Sequence, residues 1–346
     1  MNKSNVLFFQ LIRDFLTIYL PKQKSASSHT IKSYKNVLNL LIDYTMNTLS
    51  CPITEIKFET MTRGHVEGFL EWMENHRKCS VSTRNQRLAS LRSFYSYAAN
   101  RDITLVAYLQ ELQKIPTKKS QKSQELKYFS EEVLKVILGI PNQQNKREFR
   151  NLFFMILLYD TGARNQEILH LHLKDMHTTA AEPYVTLFGK GKKTRLVPLM
   201  EKTIQHYEKY LDLYHSEGKD HDFLFYTLRK GNKDAMSPDN TEKFIKRYGQ
   251  LAQEINQDAP EKLHPHMFRH SRAMHLYRNG MPLPLLAEWL GHAQLETTMV
   301  YAHADTKMKQ DAIEKATSAL NPLKTAEVSI DWQEDEETIK KLYGLI

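Results

Sequence analysis

The sequence predicts a mainly α-helical protein with an all-helical first domain and a mixed α/β second domain, mostly helical with a small antiparallel sheet. Three observations point there. Apolar residues recur at helical spacing through the first 115 residues, with no strand pattern among them. The apolar pattern then lapses from Lys114 to Lys127, a lysine-, serine- and glutamine-rich stretch containing Pro116. Beyond it, one pair of β-rich runs flanks a glycine-containing turn among further helices. At 346 residues the chain has room for two domains.

Taken in order, a first helix runs from about Asn5 to Tyr19, capped by Ser4 and ended by Pro21. A second carries Val37, Leu38, Leu41 and Ile42, with Ile31 and Tyr34 upstream. Thr62 caps a third, bearing Val66, Phe69, Leu70 and Met73. Ser80-Val81-Ser82-Thr83 opens a fourth, with Leu88, Leu91, Phe94 and Tyr95 on its apolar face. After the break, Ser130 with Glu131 and Glu132 starts a helix. An apolar helix through Phe149, Leu152, Phe153, Ile156 and Leu157 stops at Thr161-Gly162, and Ala163-Arg164-Asn165-Gln166-Glu167 opens the next. Tyr184–Phe188 and Thr194–Pro198 form the hairpin. Helices follow over Glu201–His215, Ser237–Ile255 and from Pro265, and one after Pro282 and Pro284 ends at Gly291.

The bulk composition narrows the class. A net charge of +8 fits a polyanionic partner, although charge alone is weak evidence. Two cysteines, Cys51 and Cys79, make no disulfide framework, and we read them as reduced thiols of a cytoplasmic protein. Gln10, Arg13 and Asp14 interrupt the apolar N-terminal run, so it reads as an amphipathic helix rather than a secretory signal, and no run is long enough to span a bilayer.

Two helix starts in the first domain carry groups that donate to phosphates or base edges. Thr30, Lys32 and Lys35 lie on the second helix, and Thr83, Arg84, Asn85, Arg87 and Arg92 on the fourth. Two solvated helix faces would look the same.

In the second domain the chemistry-bearing residues come in four segments: Arg164 with Glu167 one turn on, Lys190 in Gly-Lys-Gly-Lys-Lys, the pair His266-x-x-Arg269, and Leu-Gly-His292 followed by Tyr301. Arginine clamps oxyanions with a planar fork, histidine moves protons near neutral pH, and tyrosine is a nucleophile once deprotonated. The Gly-Lys pair lacks Walker spacing and joins strands, so it does not bind a nucleotide. Each segment is weak by itself. Their order and spacing together resemble the tyrosine recombinase (phage integrase) family, over about Tyr128 to Asn321 and more loosely over the helical first part.

That resemblance implies a division into a core-binding DNA-binding domain (1–115), a basic linker (116–127), a catalytic domain (128–321) and a C-terminal tail (322–346). It implies catalysis by Arg164, Lys190, His266, Arg269, His292 and Tyr301, supported by Glu167, with no cofactor and no metal. Lys192 and Lys193 are the nearest rivals to Lys190, and Ala163 stands where the family more often has a larger apolar residue. Tyr301 would attack a DNA phosphodiester, with Arg164 and Arg269 on the non-bridging oxygens, His266 as base or proton-orienting residue, and Lys190 as acid. His270 and His275 are read as structural. Three rivals stay open: a zinc site on His266 and His270, a type IB topoisomerase, and a DNA-binding regulator that kept the fold but not the catalysis.

The family further implies a homotetramer on two double-stranded DNA duplexes. Ile339, Leu342, Tyr343, Leu345 and Ile346, beyond an acidic stretch, are expected to dock on a neighbouring protomer. The chain begins directly with the core-binding helices, which favours Xer-like or small transposon integrases without an arm-binding domain.

Overall fold

The computed structural model describes residues 3–119, 126–189, 193–217, 219, 221–292 and 294–304, with isolated positions 310, 313, 314, 317, 340, 341 and 344. The chain divides into two compact units, Met1–Ser123 and Gln124–Ile346, each with its own apolar core.

The first unit is helical. Its α1 (Lys3–Asp14) continues into a wider-turned π-helical stretch, Phe15–Gln23, that carries Pro21 inside it rather than stopping there. Packing explains the extension. Phe15 is fully buried and its ring contacts Tyr34, Phe94 and Tyr97 at 5.2–5.5 Å. Three longer helices follow, each started by a hydroxyl cap, two of them at the residues the sequence marks, Thr62 and Ser80. Ser27 accepts from the Thr30 amide at the head of α2 (Ser28–Leu49), Thr62 from His65 at α3 (Arg63–Asn75), and Ser80 from Thr83 at α4 (Val81–Ala99). A short α5 (Val106–Gln113) completes the unit.

Three of the side chains expected to contact DNA are engaged within the unit. Arg84 is 5% exposed, and its guanidinium donates to the Pro116 carbonyl at 2.8 Å. Asn85 exchanges two hydrogen bonds with the backbone of Lys118. Arg92 donates to the carbonyls of Leu112, Gln113 and Ile115. These three side chains tie the end of α5 and the chain beyond it to α4, satisfying carbonyls that a helix terminus leaves open. The same contacts anchor the start of the stretch expected to be a free linker. Thr30, Lys32 and Lys35 are exposed, and Thr83 and Arg87 are partly so.

In the second unit α6 (Glu131–Gly139) is capped by Ser130, and α7 (Lys146–Thr161) is buried on most sides. A five-residue α8 (Asn165–Leu169) follows. The hairpin forms as predicted from β2 (Tyr184–Phe188) and β3 (Thr194–Pro198), with Val185 opposite Val197 and Leu187 opposite Arg195. A two-residue β1 (Met176–His177) adds to its free edge. After α9 (Glu201–Tyr214) comes a second hairpin absent from the sequence reading, β4 (Tyr226–Arg229) and β5 (Asn232–Ala235). Its turn places Lys230 and Gly231 at φ 47° and 83°, the positive-φ pair that a two-residue hairpin needs. The unit then closes with α10 (Pro238–Ile255), α11 (Pro265–Arg278), α12 (Leu283–Leu290) and α13 (Met299–Ala304). Among the described residues, no helix is long and apolar enough to cross a membrane.

Candidate active site

The site is built where α7, α8, β3, α11, α12 and α13 meet. α7 ends at Gly162, whose φ of 55° is the left-handed conformation that glycine adopts without penalty. The position has a second requirement: a Cβ there would lie 2.5 Å from the Trp289 ring. The turn aims the Gly162 carbonyl at α11, where it accepts from Arg269 Nη1 at 2.7 Å. It also sets Arg164 at the head of α8.

Glu167 then fixes Arg164 twice. Its carboxylate accepts the Arg164 amide at 2.8 Å, as a helix-start acid does, and the Arg164 guanidinium at 2.9 Å. The same carboxylate takes both terminal nitrogens of Arg195, at 3.0 and 2.7 Å. Arg195 was not singled out from the sequence. Its signal was position: it shares the inward face of β3 with buried Val197, where an arginine needs a partner. Burial pushes the Glu167 carboxyl up, but Arg195 and Arg164 outweigh it, and the net shift is downward.

Two arginines hold the C-terminus of α12. Arg195 Nε donates to the Trp289 carbonyl at 3.1 Å, and Arg269 Nη2 to the Leu290 carbonyl at 2.8 Å. Cations at this end suit the helix dipole and satisfy its open carbonyls. Gly291, at φ 66°, reverses the chain, and the His292 amide donates back to Ala287 at 2.9 Å. That turn delivers His292 to the site, where its Nδ1 lies 2.7 Å from the Thr298 hydroxyl. Arg269 is 1% exposed. Burial first, and then Arg164, hold its guanidinium down to about 10, still charged at neutral pH.

Tyr301 on α13 is also 1% exposed, packed with Ala273, Met274, Leu286 and Leu290. Burial pushes its phenol up to about 12, against the pull of Arg269 and Arg164. Its hydroxyl lies 3.1 Å from Nδ1 of His270. His270, expected to be structural, thus lies against the tyrosine hydroxyl. His266, expected there, is exposed and meets His270 ring to ring at 4.7 Å. Burial and neighbouring cations lower His266, and lower His292 to about 4. Among the described residues no cluster of three His, Cys, Asp or Glu could hold a metal ion.

A cavity of about 890 Å³ opens over this group, lined by Arg164, Lys193, Arg195, Trp289 and His292 among others. Lys190 and Lys192 lie outside the described residues. Their flanking residues close the hairpin end through Gly189 donating to the Lys193 carbonyl at 2.8 Å. Arg164, Glu167, His266, Arg269, His292 and Tyr301, scattered over 138 positions of sequence, are thus brought into one place.

Comparison with known proteins places this geometry. A model of the phage integrase family matches residues 127–308, just over half of the chain. The chain belongs to that family. The N-terminal SAM-like domain of phage integrases matches residues 11–105. Tyrosine recombinase XerD of Oceanobacillus iheyensis is 31% identical over 305 residues, covering 87% of this chain and 95% of that protein. A putative integrase/recombinase, y4rC of Sinorhizobium fredii, is 27% identical, covering 89% and 91%. The fold matches XerH site-specific recombinase in a post-cleavage complex with its difH substrate, at TM-score 0.62, 22% identity and coverage of 91% and 89%. It also matches the Tn1549 transposon integrase in complex with transposon right end DNA, at TM-score 0.62, 17% identity and coverage of 91% and 99%. The protein is a tyrosine-type site-specific recombinase.

The shared carboxylate gives a test. Glu167→Gln removes the charge from a side chain that is 5% exposed. Urea unfolding at neutral pH is expected to show a loss of about 3–5 kcal/mol, the usual cost of breaking a buried ion pair. A carboxyl held low in the folded state stabilises above its unfolded value and loses that contribution as pH falls through the folded one. The gap between wild type and variant should therefore narrow below pH of about 4.5, and a gap independent of pH would contradict the arrangement.

Proposed function

We propose that this recombinase integrates and excises a mobile element by cutting and rejoining DNA through a 3′-phosphotyrosine at Tyr301. The observation that carries the reading is a buried tyrosine, Tyr301, whose hydroxyl lies against α11 at His270, the residue next to buried Arg269. The two arginines hold the non-bridging oxygens of the scissile phosphate and stabilise the charge of its five-coordinate transition state. His292 and His266 add hydrogen bonds at the rim. Lys190 protonates the leaving 5′-oxygen, with Lys192 and Lys193 as rivals; Lys193 lines the cavity. Glu167 and Arg195 keep Arg164 oriented. The phosphotyrosine conserves the energy of the broken ester, so rejoining needs no ATP, and the arginines do what metal ions do in other phosphoryl transfers.

In this reading residues 1–115 grip DNA and residues 128–321 cut it, with 116–127 between them. Thr30, Lys32, Lys35, Thr83 and Arg87 supply phosphate contacts from the first part, as their exposure allows. Four protomers assemble on two duplexes in the cytoplasm, and the tail 322–346, whose sequence ends in apolar residues, docks on a neighbour. The XerD relationship favours a second reading, resolution of chromosome or plasmid multimers. Sequencing the DNA captured covalently in cells separates the two. Adducts at the ends of an element support integration, and adducts at one chromosomal locus support resolution.

Nucleophile and tail can be tested on one substrate, a nicked duplex carrying the site that the wild-type protein selects from a randomised pool. Tyr301→Phe should bind it and form no covalent adduct; adduct persisting in that variant rejects the assignment. Deleting the residues after Asn321 should weaken pairing of two such duplexes while leaving single-site binding intact, and unchanged pairing rejects a tail that docks in trans.

A further inference from the structure

The reading above leaves one step without a residue in place. Attack by a phenol requires that its proton go somewhere, and His266, the residue expected to receive it, has no hydrogen bond to Tyr301 among the described residues. The hydroxyl's hydrogen-bond partner is His270, one helical turn on from His266 along α11. We propose that His270 takes the proton of Tyr301 as the tyrosine attacks, and so is a catalytic residue of the reaction. This rests on Tyr301 being the nucleophile.

Geometry supports the assignment in three ways. Nδ1 lies 3.1 Å from the phenolic oxygen, within the reach a general base needs. The ring is carried on α11 between Arg269 and Ser271, both fully buried, so its position is set by packing. His266, which is exposed, contacts its ring at 4.7 Å.

Electrostatics keep the ring unprotonated, and so open to a proton, while lowering its basicity. Burial first, then His266, Arg269, His264 and His292, push His270 down to about 4, so it is neutral at neutral pH. Two of those groups, His266 and Arg269, share α11 with it, and His264 lies at that helix's N-cap; His292 faces it from the turn after α12 and Tyr301 from α13. Tyr301 itself is held up at about 12, so free phenolate is scarce near neutral pH.

The step balances. The Tyr301 O–H bond breaks and its proton passes to His270 Nδ1 as the phenolic oxygen bonds to phosphorus. The bond from phosphorus to the 5′-oxygen breaks, and that oxygen takes a proton from the acid assigned above to Lys190. In rejoining, the 5′-hydroxyl returns its proton to the acid, and His270 returns the other to the departing phenol.

Single-turnover adduct formation on the selected nicked duplex tests this, with His270→Ala and His270→Asn. An asparagine amide sits near the place of Nδ1, so it keeps a polar contact with the hydroxyl yet accepts no proton. Wild type should cleave at a rate flat between about pH 7 and 9, because His270 stays neutral throughout. Both variants should be slower by roughly 10²–10⁴-fold at neutral pH, the span typical of a lost general base. Both should also gain about tenfold in rate per pH unit as hydroxide takes over the deprotonation. A wild-type rate in either variant overturns the proposal, as does a flat pH profile in His270→Asn, which would leave His270 only a positioning role. DNA binding and thermal melting of each variant are followed in parallel. If His270→Ala loses its melting transition, His270→Asn alone decides. Failure of the nucleophile assignment looks different, as adduct that survives Tyr301→Phe.

Discussion

One carboxylate organises the catalytic unit. Glu167 receives four hydrogen bonds, two from Arg164 and two from Arg195, between 2.7 and 3.0 Å. Charge-assisted and two-pronged contacts of this kind fix direction as well as distance. Arg164 is thereby aimed from the head of α8, and β3 is tied to it by the same acid. The cost of burying the acid is offset by the four donors that converge on it.

The constraint propagates. Arg195 leaves Glu167 with its Nε free for Trp289, and Arg269 reaches Leu290 beside it. The end of α12 is thus gripped from both sides, and the glycine turn that follows carries His292. The same Arg269 also holds the carbonyl of Gly162, the residue whose left-handed turn places Arg164. The two arginines of the site are therefore positioned by one connected set of hydrogen bonds, running through backbone atoms that sequence spacing does not display. Tyr301 sits at its edge, buried, with its phenol pushed up to about 12.

Much of this was legible from residues alone, for physical reasons. Hydroxyl caps at Thr62, Ser80 and Ser130 announce helix starts because open amides need acceptors. The hairpin of Tyr184–Phe188 and Thr194–Pro198 follows from β-rich runs around glycines. The arginine, histidine and tyrosine segments were found because phosphoryl transfer needs those groups. What escaped is what depends on tertiary contact. Arg195 looked like one more basic residue of a strand. His270 looked like the back of a helix. Arg84 and Arg92 looked like phosphate ligands, yet they bind backbone carbonyls within the same unit. The second hairpin was missed because Lys230 takes a positive φ that its side chain does not advertise. Lys190 and the apolar residues of the tail lie outside the described residues.

The central claim is that Tyr301 becomes joined to the 3′ side of a cut strand. The most direct measurement is to trap the adduct on the selected duplex, digest the protein, and identify by mass spectrometry the peptide and the DNA end it carries. The account predicts a single modified residue, Tyr301, linked to a 3′-phosphate, with a free 5′-hydroxyl on the released strand. DNA attached to any other residue, or attached through a 5′-phosphate, would contradict it.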